Sequence, residues 1–145
     1  MTTINQTHID QLRISIDVLV RVLKITDSID VESARRLNPP DVQTLLHIGD
    51  RGQCIATDIS NLLNVVPTTT SSIIDRLSRR GLVTRDRSDE NRRIVHLTLT
   101  EKGQRVRSEI IDAQNKDCAS MLALLEPSEG ALLVGLLDKV SSKIS

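Results

Sequence analysis

Basic side chains that could bind phosphate are concentrated in one part of the sequence, between Ile73 and Arg107. That segment holds ten lysines and arginines against five acids, so it carries a net charge of +5 although the whole chain is neutral. The remaining residues therefore carry −5. A local basic region in an otherwise balanced protein is typical of a surface that contacts a polyanion such as DNA, although an ordinary solvated surface would give the same count.

Short hydroxyl side chains stand directly before these arginines, in the stretch VVPTTTSSIIDRLSRRG. Pro67 suits the first turn of a helix and Gly81 suits its C-terminal end, so a helix is predicted between them. Its buried stripe comprises Thr70, Ile73, Ile74 and Leu77. The hydroxyls on the opposite face are those of Thr68, Thr69, Ser71 and Ser72. Such side chains let a helix start approach a base edge or a phosphate; helix capping and a polar solvent face are the alternative.

Cysteines and histidines are too few and too scattered to predict a metal site. Cys54 and Cys118 do not form a CxxC pair, so two reduced thiols are expected, and the three histidines lack the spacing of metal ligands. Cys54 lies near Arg51, whose charge could lower the pKa of the thiol and make it a redox sensor; a small buried filler is the alternative. We interpret the histidines as ordinary surface or core residues, and His47, on the second helix near the expected cleft, is the one that we would link to an effector.

The composition excludes several classes of function. The 145 residues include no Phe, Tyr or Trp, so no aromatic platform exists on which single-stranded nucleic acid or a flipped base could stack. No phosphate loop, nucleophile motif or acid pair is present, so we expect neither enzymatic activity nor a cofactor. No apolar run approaches the ~20 residues that span a bilayer, and the start of the chain lacks a signal-peptide layout, so a cytoplasmic protein without membrane contact is expected.

Apolar periodicity predicts two helices in the first third of the chain. From Ile9 to Leu23 apolar residues recur at three- and four-residue steps and form one stripe of a long helix. The sequence then breaks at two prolines and restarts. A second helix is predicted from about Pro40 to Ile48, with Asn38 as its N-cap and Gly49 as its end.

The stretch ATDISNLLN predicts a short third helix before the hydroxyl-rich one. Thr57 can cap this helix, and Ile59, Leu62 and Leu63 are expected to face inward. Two helices joined by so short a connection are typical of a helix-turn-helix unit.

A hairpin follows the hydroxyl-rich helix. The stretches LVTRDR and RRIVHLTL alternate apolar and polar residues, and SDEN between them supplies a turn with basic residues around its tip. The apolar residues assigned to the two strands are Val83, Ile94, Val95, Leu97 and Leu99. Thr100 then caps a long helix that runs to about Leu125. After Pro127 a last helix, from about Ser128, carries apolar residues at helical spacing.

Together these elements predict a mainly α fold of about six helices with a small β-hairpin. Its middle is a helix-turn-helix followed by a wing. Such a module inserts its second helix into the major groove of double-stranded DNA, while the basic hairpin reaches the backbone or the neighbouring minor groove.

These residues resemble the MarR (multiple antibiotic resistance regulator) family of winged-helix transcription factors. The resemblance covers most of the chain and is strongest in DRLSRRGLVTR, the charged wing tip and LTEKG. It implies one unit, residues 1–145, with a winged-helix DNA-binding lobe at 39–100 and a helical dimerisation lobe made of 7–30 and 101–145. It also implies a homodimer on a pseudo-palindromic site, usually a repressor that a small ligand or thiol oxidation releases.

Carried over residue by residue, the resemblance implies ten DNA-binding positions. They are Thr68, Thr69, Ser71, Ser72, Arg76, Arg79, Arg85, Arg87, Arg92 and Arg93. Arg93 matches the wing arginine that enters the minor groove in relatives. Two positions depart from the pattern, because Ser72 stands where relatives often have a basic residue and Asn91 stands where they usually have an aspartate that holds the wing arginine.

The two departures keep one alternative open, a winged-helix module for protein interaction or dimerisation without specific DNA binding. The arginines on the expected DNA surface argue against it, because a partner that is not a polyanion gives them little purpose. A small-molecule effector stays open as well, and Cys54 and His47 are the residues that we would link to redox or effector control.

Overall fold

The computed structural model describes residues 4–23, 29–31 and 34–145, and for 29–31 and 34–36 it describes the backbone alone. The helices within these ranges are α1 (Gln6–Val22), α2 (Pro39–Arg51), α3 (Ala56–Leu63), α4 (Pro67–Arg79), α5 (Glu101–Leu122) and α6 (Pro127–Ile144). The strands are β1 (Ile29–Val31), β2 (Ala34–Leu37), β3 (Val83–Arg87) and β4 (Val95–Leu99). The predicted fold class, mainly helical with a hairpin wing, is confirmed.

A first antiparallel ladder, β1 with β2, was not predicted. Ile29 pairs with Leu37 and Val31 pairs with Ala34 immediately before α2. We had interpreted this region as a break between helices, because the two prolines that follow dominate the local pattern. Residues 24–28, which the predicted dimerisation lobe includes, lie outside the described residues.

The core of the protein lies in the winged-helix lobe. Fully buried apolar side chains come from the end of β2, from α2, α3 and α4, from the turn into β3, from β4 and from the first half of α5. The largest are Leu37, Leu45, Ile48, Ile59, Leu77, Leu82, Leu97 and Ile110. Each contributes about 1.5–3 kcal/mol by leaving water, so this lobe is the part of the chain that holds α4 and the hairpin in place.

The predicted end of the second helix at Gly49 is wrong. Helix α2 continues to Arg51 and stops at Gly52, whose φ of +78° favours glycine. Gly49 is instead an interior residue that the Arg107 side chain of α5 crosses so closely that a Cβ atom there would collide with it. Close packing explains this glycine, not helix termination.

Helix α3 differs from its prediction in two details. Ile55, not Thr57, is its N-cap, and the Asp58 carboxylate accepts a hydrogen bond from the Ile55 backbone N–H at 3.0 Å. Ile59 faces inward as predicted and is fully buried, but Leu62 is exposed. Leu63 packs against the core and is partly buried, as predicted. Leu62 lies about 100° away from Leu63 around the helix and lines a surface pocket beside His47.

Helix α4 and the hairpin agree with their predictions. Thr70, Ile73, Ile74 and Leu77 are the buried residues of α4. Gly81, with φ of +71°, follows the helix and turns the chain into β3. Strands β3 and β4 pair in continuous antiparallel register from Val83 opposite Leu99 to Arg87 opposite Val95, and Ile94 lies just outside the ladder.

The outer helices contrast with this lobe. Thr100 caps α5 as predicted, accepting a hydrogen bond from the Gly103 N–H at 2.9 Å, and Val106 and Ile110 are buried. Helices α1 and α6 contain no buried residue. Their apolar side chains, such as Leu12 at 63% and Leu137 at 54% exposure, face away from the core of this chain.

Candidate nucleic-acid interface

The outward face of α4 carries the four predicted hydroxyl residues, and we call it the hydroxyl face. Thr68, Thr69, Ser71 and Ser72 are all exposed. The N-cap residue is Val66, and no side chain caps the helix there, so the capping half of the alternative is wrong, whereas a polar solvent face stays open. Ser72 donates to the Thr68 carbonyl at 3.1 Å. Pro67 has no N–H, and the N–H groups of Thr69 and Thr70 donate to the Val66 carbonyl at 3.0 and 3.2 Å. This helix start therefore offers an anion mainly its short hydroxyl side chains and the positive end of the helix dipole.

The buried side of α4 is tied to its neighbours by two polar contacts. Near the start of the helix, Thr70 shares a hydrogen bond of 2.7 Å with Ser60 of α3. Near its end, Arg76 binds the Asp41 carboxylate of α2 through Nε at 3.2 Å from both oxygens and through Nη2 at 2.5 Å from Oδ1. The Asp41 side chain is 2% exposed and that of Arg76 is 40% exposed. Hydrogen bonding to Asp41 is the main cause that raises the pKa of Arg76.

Arg85 joins the hairpin to α4. This β3 residue forms an ion pair with Asp75 of α4, so the hairpin is held beside α4. The hydrogen bond from Arg85 is the main cause that lowers the pKa of the Asp75 carboxyl. Both side chains are partly exposed, so the pair contributes little to stability and more to the relative placement of the two elements.

The wing tip is organised by backbone contacts. Arg87 donates to the Arg92 carbonyl at 2.7 Å, and Ser88 donates its N–H to the Ile94 carbonyl at 3.0 Å. The Asn91 side chain accepts from the Arg93 backbone N–H at 3.0 Å. Asn91 therefore shapes the turn and does not hold the Arg93 guanidinium.

Three of the predicted arginines lie free on this side of the molecule. Within the described residues, the side chains of Arg79, Arg92 and Arg93 are exposed and have no hydrogen-bond or salt-bridge partner. By contrast, Arg76 and Arg85 are paired with carboxylates. We define the interface as the hydroxyl face together with Arg79, Arg92 and Arg93.

Cys54 does not have the surroundings of a reactive thiol. It is buried and forms an isolated bridge with Leu97 of β4, with N···O distances of 3.1 and 2.7 Å. Burial raises the pKa of the Cys54 thiol to about 11; the Asp58 carboxylate adds to the rise, and Arg51 only opposes it. The predicted lowering of this pKa by Arg51 is wrong, because desolvation outweighs the nearby charge. Cys118, on α5, is half-buried.

His47 lines a surface pocket of about 290 Å³ with Arg51, Asp58, Asn61 and Leu62. Its Nε2 atom is buried and has no hydrogen-bond partner. A larger, mostly apolar pocket of about 510 Å³ lies between the end of α5 and the start of α6. The described residues contain no group of three or more His, Cys, Asp or Glu that could hold a metal ion, and no described helix is long and apolar enough to cross a membrane.

The inner side of α4 is supported by three residues for which the sequence predicted no such role, namely Asn38, Asp41 and Ser60. The Asn38 amide, oriented to satisfy its neighbours, donates to the Asp41 carboxylate. Asp41 and Arg76 are 35 residues apart, so no local pattern could pair them. The only signal was an acid in the first turn of a helix, which normally indicates an interaction with the helix dipole.

The sequence matches proteins that regulate transcription. Residues 37–95 match the model of the MarR family. YfiV, an HTH-type transcriptional regulator of Bacillus subtilis, is 27% identical over 93 residues, which cover 64% of this chain and 58% of YfiV. The transcriptional repressor MprA of Escherichia coli is 31% identical over 88 residues, covering 61% of this chain and 50% of MprA. The chain thus spans little more than half the length of these two curated relatives.

Solved structures share the fold over nearly the whole chain. A MarR family protein from Bacillus stearothermophilus superimposes with a TM-score of 0.83 at 24% identity, covering 98% of this chain and 99% of the other. FabT of Streptococcus pneumoniae, solved in complex with DNA, gives 0.74 at 22% identity, with 97% of each chain covered. BpsR of Bordetella bronchiseptica, whose DNA binding is regulated by 6-hydroxynicotinic acid, gives 0.66 at 25% identity, covering 94% and 99%.

Proposed function

We propose that this chain, whose residues 37–95 match the MarR family model, is a MarR-type sequence-specific repressor that binds a pseudo-palindromic operator as a homodimer. The observation that carries the proposal is the interface itself. An exposed, uncapped hydroxyl face on α4 lies beside a hairpin that supplies unpaired arginines. The names of MprA as a repressor and of FabT as a DNA complex support it.

In this proposal α4 enters the major groove and the wing follows the backbone. Thr68, Thr69, Ser71 and Ser72 are short, so they allow the helix to approach base edges closely and read them by single hydrogen bonds. Arg79 and Arg92 contact phosphates, which supply the salt-dependent part of the affinity. Arg93 reaches the minor groove beside each half-site, where a narrow A·T-rich groove attracts a guanidinium.

The homodimer is supported by the two outer helices. Helices α1 and α6 bury no residue within the chain, yet both carry rows of large apolar side chains. Those on α6 with more than half of their surface exposed are Leu132, Val134, Leu136, Leu137, Val140 and Ile144. A second copy that covers these rows would remove an apolar patch that single soluble chains seldom expose. Two winged-helix lobes would then face two half-sites.

Release from DNA would follow a small ligand and not oxidation of Cys54. The BpsR structure, a protein regulated by 6-hydroxynicotinic acid, supports ligand control in this fold. Cys54 is buried and its pKa is raised, so it would react slowly with oxidants. We propose no catalytic activity, and we place the protein in the cytoplasm because its proposed partner is DNA.

The test is selection of random duplex DNA on the purified full chain, followed by titration of the best site at several salt concentrations. An enriched inverted repeat, with half-sites about one helical turn apart and affinity that falls steeply with salt, is the expected result. A Thr69→Ala, Ser72→Ala variant should lose the sequence preference while keeping most binding to random DNA. Weak binding without any enriched sequence would instead favour a winged-helix interaction module.

A further inference from the structure

The ion pair between Asp41 and Arg76 differs from an ordinary surface ion pair because its carboxylate is buried. The Asp41 carboxylate is almost completely buried, and two nitrogens of Arg76 and the amide of Asn38 surround it. A buried carboxylate without such partners would be very costly, so its position and that of Arg76 are strongly coupled. The Nε and Nη2 donors of Arg76 thus bind Asp41 of α2 and are not directed outward.

The two ties restrain α4 in different directions. Thr70 and Arg76 are six residues apart, which in an α-helix places them about 9 Å apart along the axis and about 120° apart around it. Thr70 is hydrogen-bonded to Ser60 of α3, and Arg76 is paired with Asp41 of α2. Contacts at two heights and two azimuths oppose both rotation of α4 about its axis and sliding along it. The direction of the hydroxyl face depends on that rotation.

We propose that Asp41, with Asn38, is a positioning residue for operator recognition, and that Arg76 acts as its counterpart on α4 and does not contact phosphate. The proposal rests on the proposed function and deepens it. Asp41 sets the angle at which the hydroxyl face meets the bases, although it lies on another helix and is inaccessible to DNA. Arg79, three residues further along α4, is exposed and forms no hydrogen bond or salt bridge within the part of the chain that the structure describes, so it is the phosphate contact of that helix.

The experiment compares Arg76→Gln with Arg79→Gln in the full chain, measuring affinity for the selected operator and for random duplex at several salt concentrations. For Arg79→Gln both affinities should fall together, and the slope of log affinity against log salt should become shallower by about two for a dimer that loses two phosphate contacts. For Arg76→Gln the ratio of operator to random affinity should fall about tenfold, a loss comparable to one mismatched base pair, at unchanged slope.

Asp41→Asn gives an independent signature. It frees the Arg76 guanidinium, so binding to random DNA should strengthen while operator binding weakens, and a variant that is merely less stable would not gain random-DNA affinity. Ile110→Val, a core substitution on α5, is the control for lost stability and should leave the affinity ratio unchanged. If Asp41→Asn does not fold by circular dichroism, the neutral pair Asp41→Asn, Arg76→Gln replaces it and should show the reduced ratio.

Two results would overturn the proposal while leaving the proposed function intact. One is an Arg76→Gln variant that behaves like Arg79→Gln, with a shallower slope and an unchanged ratio. The other is a folded Asp41→Asn variant, or folded double variant, that keeps the wild-type ratio. A wild-type chain with no sequence preference would instead remove the proposed function, and this inference with it.

Discussion

Replacing Gly103 by alanine should disrupt the packing of α5 against the segment that joins α4 to β3. A Cβ atom at this position would overlap the Leu82 carbonyl oxygen and would lie 3.3 Å from Leu99 Cβ. The Leu82 oxygen cannot swing away, because it belongs to the backbone and accepts a hydrogen bond of 3.0 Å from the Thr100 N–H. Helix α5 must therefore move by about 1 Å to restore van der Waals separation.

The expected cost follows from two opposing effects. Overpacking a close-packed site costs about 1–3 kcal/mol, and here the upper part of the range applies because backbone must shift. Alanine favours a helix over glycine by up to about 1 kcal/mol, which offsets part of this cost. We expect Gly103→Ala to lower the free energy of unfolding by about 2 kcal/mol and the Tm by roughly 6 °C. Operator affinity should fall too, since Leu82 leads from α4 into the wing.

Urea denaturation followed by far-ultraviolet circular dichroism is the appropriate assay, because the chain has no tryptophan or tyrosine to report by fluorescence. Gln104→Ala is the matched control. Its side chain is exposed on the next position of the same helix, so its unfolding free energy should stay within about 0.5 kcal/mol of wild type. If Gly103→Ala is as stable as this control, the close approach of α5 to Leu82 is not a constraint on the fold.

Three further predictions test the wing, the dimer and the thiol. Arg93→Ala should weaken binding about tenfold at operators flanked by A·T-rich minor grooves and less at others, and unchanged affinity, or an equal loss at both classes of site, would contradict the wing assignment. Leu136→Lys with Leu137→Lys should halve the mass measured by light scattering or cause aggregation, whereas Ser142→Lys on the same helix should not; an unchanged mass in the double variant would refute the dimer face. In a Cys118→Ser variant, iodoacetamide should leave Cys54 unmodified at pH 8, because a pKa of about 11 leaves roughly a thousandth of the thiol ionised. The raised pKa also favours the neutral thiol in the folded chain, so stability should decline as pH rises from about 9 towards 11, and rapid labelling at pH 8 would show that Cys54 is accessible and activated.

Local patterns predicted the parts of the fold that depend on local chemistry. The buried stripe of α4, the cap at Thr100 and the β3–β4 register follow from side-chain periodicity and from residues with strong positional preferences. The same reasoning failed where distant residues decide. Gly49 resembled a helix end, but the Arg107 side chain of α5 passes directly over it. Leu62 resembled a core residue, but it points toward a surface pocket beside His47.

The candidate site was predicted in its residues more than in their roles. The four hydroxyls of the hydroxyl face are exposed at the predicted helix start. The ten predicted positions, however, could not be divided from sequence into free and paired side chains, because the acids that pair Arg76 and Arg85 come from α2 and from the far side of a turn. The pKa of Cys54 could not be predicted from sequence for the same reason: it is raised mainly by burial, and the atoms that bury the thiol come from elements such as α3 and β4.

The length of α5 gives the proposed dimer a mechanical property. Its 22 residues extend for about 33 Å, and its first three turns are embedded in the winged-helix lobe at Gly103, Val106 and Ile110. The remainder is a stiff rod between the winged-helix lobe and the apolar helices α1 and α6. A tilt of roughly 5° at one end displaces the other by about 3 Å, close to the rise of one base pair. In the proposed dimer, a ligand that tilted α5 by so small an angle would change the spacing of the two α4 helices by about one base pair. No side chain of the proposed DNA interface would need to change.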